Sequence, residues 1–384
     1  MKRPVYIAGA SSRAQTTCEY LEYLNRDLRV SAYLVSPDMP DEDTVVGGVH
    51  VYSISVSSKL NTQYPVYIAT RGVNQSKINR ELREIGFQEI IPVTPELDMR
   101  LRNQYMQAVF SAHDRKFTKI EDLSGDPYIL HSSEGAPSSA DSKRIIKFQN
   151  VWAEKKTASI YVVSTVGANQ LEDSYTFLPE ERTIQAGAAL TSERIPNACY
   201  DNVGENISQK NHQFCELTAL YWLWRHAEDD YIGMVHYRRH FLLPDNWLNR
   251  MQHNNFDVLL PVPLYVAPTL ELNFKARHLP RVWETMLAKL KESHPDDYDP
   301  ISHYLKTSSL YSPCNMFVMK RQIMNEYCEW LFPILFAVSE EIGQVEDAYQ
   351  NRYPGFLAER LMTAYFATHE DEYRIIYADK NFLK

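Results

Sequence analysis

The chain has 384 residues, 44% hydrophobic and 23% charged, which fits a folded protein of two or three domains and excludes disorder as its main state. A formal net charge of −9 with no long basic run argues against a nucleic-acid binder, which must neutralise phosphates, yet allows a local basic pocket for one phosphate ligand. Five widely spaced cysteines with no C-x-x-C pair argue against a disulfide scaffold or structural zinc and fit a reducing cytosol.

The N-terminal MKRPVYIAGASS has too short an apolar run for a signal peptide, and no stretch reaches the ~18–20 apolar residues of a spanning helix. The expected location is cytoplasmic, at most peripheral at the inner face of the cell membrane. Residues 5–8 (VYIA) predict a strand that ends in Gly9-Ala10-Ser11-Ser12 and feeds a helix to about residue 24. Strands follow at 30–35, 66–69 and 89–92, with a helix over 75–85. Strand, glycine turn, helix, strand predicts a parallel α/β sheet, a Rossmann-like domain over residues 1–112.

Gly9, Ala10 and Ser11 form the loop where a dinucleotide's pyrophosphate would meet helix N–H groups. Only Gly9 of a G-x-G-x-x-G pattern is present, and no acidic residue closes the second strand, so an empty loop is the more frequent reading. Residues 113–157 read as a linker, with turn-forming, apolar-poor sequence over 132–139.

A second α/β domain spans 158–384. Residues 159–164 (SIYVVS) predict a buried parallel strand ending at Ser164. Gln185 and Gly187 sit among small residues, which permits close backbone approach to a ligand. Asn206 and Lys210 lie in an amide-rich segment leading to a helix over 211–227, whose N-terminus could hold an anion, with Ser208 as its cap. Residues 231–235 and 257–260 read as further buried strands. His236-Tyr237-Arg238-Arg239 follows the first of these, where polar groups face a ligand crevice; the arginine fork suits a diphosphate and His236 a base. Beyond residue 281 the pattern is mostly helical, with a break at 310–319 that holds Asn315. Glu359 is either a base for an acceptor hydroxyl or half of an ion pair with Arg360. No G-x-S-x-G, H-E-x-x-H, Walker A or Asp-x-Asp motif is present, so no metal site is established.

The runs IQAGAAL, DNVGENISQKN, ELTALYWLWR and DYIGMVHYRRHF, then NMFVMKR, YCEWLF and GFLAERL, resemble in order a bacterial glycosyltransferase-like family long catalogued as a domain of unknown function, found among capsular and exopolysaccharide biosynthesis proteins. The resemblance covers about residues 158–380. It implies a GT-A-like domain that moves a sugar, galactose or galactofuranose in some relatives, from a UDP-linked donor to a lipid-linked or oligosaccharide acceptor. No cofactor is certain from it, and Mn or Mg dependence stays open. Family members often carry a His-Lys pair where this chain has Val163-Ser164-Thr165-Val166. The first domain is similar to small Rossmann-type domains fused to sugar-modifying enzymes. On chemistry, Arg238, Arg239 and Lys210 are the candidates to neutralise the leaving diphosphate, and His236 or Glu359 to act as base, unranked. A nucleotide-sugar oxidoreductase or epimerase using the first domain, and a non-catalytic assembly scaffold, are the alternatives.

Overall fold

A computed structural model describes residues 2–36, 44–54, 60–70, 72–124, 156–169 and 171–383. The chain forms two units: Met1–Phe117 with Pro263–Arg277 and His303–Tyr311, and Thr118–Val262 with His278–Ser302 and Ser312–Lys384.

In the first unit, the apolar VYIA run becomes the buried end of β1 (Arg3–Ala8). It pairs in parallel with β2 (Leu28–Val35). The short hairpin β3 (Val45–Val46) and β4 (Val49–Ser53) extends that side, and β5 (Val66–Ile68) and β6 (Ile90–Pro92) the other, giving the order β3-β4-β2-β1-β5-β6. Apart from β3 all neighbours are parallel, and crossover helices α1 (Ser12–Leu24) and α2 (Gly72–Ile85) join them. A third helix, α3 (Pro95–Ala112), was not anticipated. Its start is strongly marked: the Thr94 hydroxyl accepts from the Leu97 N–H, Pro95 opens the first turn, and Glu96 and Asp98 face the positive end of the dipole.

The second unit is built on a seven-stranded sheet. Its first four strands in sequence are β7 (Ala158–Ser164), β8 (Glu181–Gln185), β9 (Cys199–Tyr200) and β10 (Tyr231–His236). Helices α4 (Asn211–Phe214) and α5 (Leu217–His226) precede β10, and α6 (Trp247–His253) precedes β11 (Val258–Pro261). The chain then contributes β12 (Leu264–Tyr265), α7 (Leu270–Lys275) and later β13 (Leu310–Tyr311) to the first unit, with α8 (Pro280–Ser293) and α9 (Pro295–Thr307) between. It finishes with β14 (Phe317–Lys320), α10 (Arg321–Ile342), α11 (Tyr353–Thr368) and β15 (Ile375–Ala378). The order is β15-β11-β14-β10-β7-β8-β9, with β14 alone antiparallel to its neighbours. Ile160, Val162, Val235, Leu259, Val318 and Ile376 from these strands pack with Trp247 into one buried cluster.

The start of the expected linker is part of this unit. Ile120 is buried in the same cluster, Lys119 Nζ pairs with Asp379 at 2.6 Å, and the Tyr377 N–H donates to Thr118 O at 3.0 Å. Apolar burial and a buried ion pair outweigh the polar look of this stretch. The turn-forming residues 132–139 lie outside the described residues. Among the described residues no helix is long and apolar enough to cross a membrane.

Candidate active site

Because β14 alone runs against its neighbours, the carboxyl ends of β7, β8, β10, β11 and β15 share one edge of the second sheet, and β14 begins there. Open parallel sheets bind ligands at this edge. His236 is the last residue of β10, and its Nε2 lies 2.5 Å from Cys314 O. A carbonyl only accepts, so Nε2 donates and Nδ1 keeps the free lone pair in the neutral ring. Burial pulls the His236 pKa below its ordinary value; the Glu216 charge opposes this, while Arg239 and Lys380 add to it.

Cys314 (φ 79°) and Asn315 (φ 48°) occupy the left-handed region without being glycine, a conformation costing about 1–3 kcal/mol each. Several side chains hold the pair there. Glu359 Oε1, from α11, accepts the Cys314 N–H at 2.9 Å. His236 takes the Cys314 carbonyl. Asn315, 2% exposed, donates through Nδ2 to Glu216 Oε1 at 2.8 Å and to Gly355 O at 3.1 Å. Glu359 Oε2 pairs with Arg360 at 2.7 Å, yet burial pushes its pKa above the usual carboxylate value against that guanidinium, and Glu216 pushes it further. Its side chain retains 18% exposure.

Arg238 and Arg239 sit in a turn, closed by His236 N–H to Arg239 O at 3.1 Å and Arg239 N–H to His236 O at 2.9 Å. Both guanidiniums are half-buried and lie over the Phe382 ring, at 5.4 and 5.3 Å, with Arg238 also 5.3 Å from the Tyr237 ring. Among the described residues neither has an ion-pair partner. Two cations held side by side without a carboxylate suit an anionic ligand.

Ser164 and Tyr237 line a depression of about 390 Å³ together with Gly167, Asn169, Arg194 and Ile195. A larger groove of about 820 Å³, lined in part by Lys156, Arg225, Tyr231 and Lys320, lies at the amino end of β10. The strand-end rule favours the smaller depression for a ligand, since it adjoins the arginine turn.

Other expected residues have structural duties. Gln185, fully buried, donates to Glu193 O at 3.0 Å and accepts from the Ile195 N–H at 2.8 Å, so its amide braces a loop. The close approach at Gly187 (φ +69°) comes from protein: an added Cβ would lie 2.7 Å from Asn211 Cγ. Asn206 closes its own turn, donating to Gly204 O at 2.7 Å and accepting from the Ser208 N–H at 3.1 Å. Ser208 caps no helix; its hydroxyl donates to the buried Asp201 at 2.5 Å. Lys210 is exposed beside the four-residue α4, because the expected 211–227 helix breaks at Cys215 (φ 49°), and one turn offers little dipole. In the first unit Gly9 (φ +115°) ends β1, but an added Cβ would lie 3.1 Å from Thr70 Cγ2 and 3.3 Å from Ala69 O. Ala10 and Ser11 lead into α1, where Ser11 makes no side-chain cap. Arg13 crosses this crevice to donate to Thr70 O at 3.1 Å and Val93 O at 2.8 Å.

Glu216 and Asp201 were missed as anchors. Asp201 accepts from the Gly187 and Ala188 N–H groups and the Ser208 and Thr218 hydroxyls within 2.5–2.9 Å. Among the described residues no three His, Cys, Asp or Glu side chains gather as a metal-binding group.

This is a mixed α/β protein whose second sheet is GT-A-like. Its fold is similar to that of the WbbM bifunctional glycosyltransferase, with a TM-score of 0.52 and 24% identity over 59% of this chain. The match covers 45% of WbbM, so the chain spans less than half of that protein. Core-mannan synthase A (CmsA/Ktr4) from Aspergillus fumigatus, in an Mn/GDP form, matches at a TM-score of 0.28 and 12% identity over 69% of this chain and 79% of its own, too remote to carry an argument. The profile of a family described as a domain of unknown function, DUF4422, matches residues 168–370, and the chain belongs to that family. No curated protein matches the chain.

Proposed function

We propose that this protein is a glycosyltransferase that moves a sugar from a nucleotide-diphosphate donor to a growing capsular, exopolysaccharide or O-antigen glycan. The observation that carries this reading is the meeting, near one strand edge, of two arginines that among the described residues have no ion-pair partner with a partly buried carboxylate of raised pKa. Sugar transfer needs the leaving diphosphate neutralised and the acceptor hydroxyl deprotonated.

The nucleotide occupies the depression between Ser164 and Tyr237, and its diphosphate meets Arg238 and Arg239. The acceptor oxygen forms a bond to the anomeric carbon as the bond to the diphosphate oxygen breaks, and the acceptor proton passes to a base. Glu359 is the base in this reading: burial raises its pKa, and the Cys314 N–H and Arg360 each occupy one of its oxygens while leaving a lone pair free on each, whereas burial lowers the pKa of His236. His236 and Glu216 then position the Cys314–Asn315 turn. A UDP-linked donor, galactose or galactofuranose as the sugar, a lipid-linked acceptor and attachment at the inner membrane face belong to the same proposal, as do Rossmann-like and glycosyltransferase domains over 1–112 and 158–384. An oxidoreductase or epimerase reading gains no support from the first unit, where Thr70 and Arg13 crowd the loop. The test is release of nucleoside diphosphate from a panel of UDP-, GDP-, CDP- and dTDP-sugars: slow hydrolysis of at least one is expected, and none would end the reading.

A further inference from the structure

An aromatic stack stands at the start of α11, with Tyr349 exposed. Tyr349 is 55% exposed. Its ring lies 5.0 Å from that of Phe356, which is backed by the buried His278 ring at 4.2 Å and 27°. His278 and Tyr349 are themselves near-parallel, 5.9 Å apart at 24°. Arg352 reaches across Phe356 at 5.9 Å and donates through Nε to Cys215 Sγ at 3.0 Å, the residue before Glu216. An added Cβ on Gly355 would lie 3.6 Å from Glu216 Oε1, so the stack abuts that carboxylate.

We infer that this stack is an acceptor subsite, in which the Tyr349 ring carries the apolar C–H face of a sugar. An aromatic face kept in water while two further rings brace it suits a flat ligand with one apolar side. Glu346, Asp347 and Arg352, a few residues either side of Tyr349, are exposed and offer both acceptors and donors to hydroxyl groups. Acidic neighbours disfavour a second diphosphate there, so the arginine turn and the tyrosine face sort donor from acceptor by charge. The inference rests on the glycosyltransferase reading for its word acceptor, though not for the binding it foresees.

The test is saturation-transfer NMR on the full chain with methyl galactopyranoside, methyl galactofuranoside, methyl glucoside, methyl mannoside and methyl N-acetylglucosaminide. Saturation of ring C–H protons is expected for at least one, lost in Tyr349→Ala and kept in Tyr349→Phe, with binding of UDP the same in all three proteins. No saturation of any glycoside, or saturation that survives Tyr349→Ala, overturns the subsite. A glycoside signal lost in Tyr349→Ala in a protein that hydrolyses no nucleotide sugar leaves the subsite standing and removes only the transferase reading.

Discussion

Asn315 donates its side-chain amide to Glu216 Oε1 at 2.8 Å across 99 residues of sequence, tying the turn before β14 to the segment that breaks the helix at Cys215. Removing the carboxylate leaves a buried amide N–H without its charged partner, at a cost of about 1–3 kcal/mol. Glu216→Ala should therefore lower the melting temperature and cut sugar transfer by roughly tenfold, the loss worth ~1.4 kcal/mol of positioning. Thermal melts and a transfer assay on the same protein check both. An unchanged melt would mean the turn holds itself.

Glu359 should trade stability for chemistry. Its folded pKa lies above the unfolded value, so its contribution is complete at pH below about 4.3, the unfolded carboxylate pKa, and is lost as pH rises through the folded value. Glu359→Gln, which cannot ionise, should match the native melt in acid and exceed it near neutral pH. It should also abolish transfer, while native transfer rises with pH as the carboxylate ionises. Parallel melts and rates from pH 4 to 8 separate these effects. A variant that melts lower at every pH would show that attraction to Arg360 outweighs the cost of burying the charge.

His236 has the opposite sign. Its folded pKa is depressed, so the stability it contributes is present above about 6.5, the unfolded histidine value, and drains away as pH falls. His236→Gln should flatten the acid side of the stability curve below about pH 6.5, read by urea titration at several pH values.

Asp201 predicts a purely structural phenotype. Four donors converge on a fully buried carboxylate, and Asp201→Asn turns two lone-pair positions into N–H groups facing donors, a loss of about 2 kcal/mol or more. Gly187→Ala should act on the same loop through its 2.7 Å clash with Asn211 and its positive φ. Chemical denaturation of both variants is the measurement, and donor affinity of the surviving folded fraction should be unchanged.

The strands were legible because they are continuous apolar runs: VYIA, SIYVVS and YIGMV all became central strands. α3 was readable too, since Thr94, Pro95 and Glu96 spell a helix start, but its thin apolar stripe hid it. The break at Cys215 was not readable, because no glycine or proline marks it; a long-range bond from Arg352 and a local one from Asn211 hold the strained residue. The place of Arg238 and Arg239 just past a strand was readable, but the turn they sit in was not. Glu216 was not, because its meaning lies in a partner 99 residues away. The glycine-bearing loops misled, since at Gly9 and Gly187 the atom that needs the room is the protein's own.

In the proposed reading, sugar transfer at this strand edge requires that Arg238 and Arg239 receive a diphosphate. Calorimetric titration of UDP, GDP, CDP and dTDP into the native chain and into Arg238→Ala/Arg239→Ala, with magnesium and manganese present, tests this most directly. Saturable, salt-sensitive binding of at least one nucleotide by the native chain, weakened about tenfold or more in the double variant, is the predicted result. Equal affinity in both proteins, or no binding by the native chain, would contradict it.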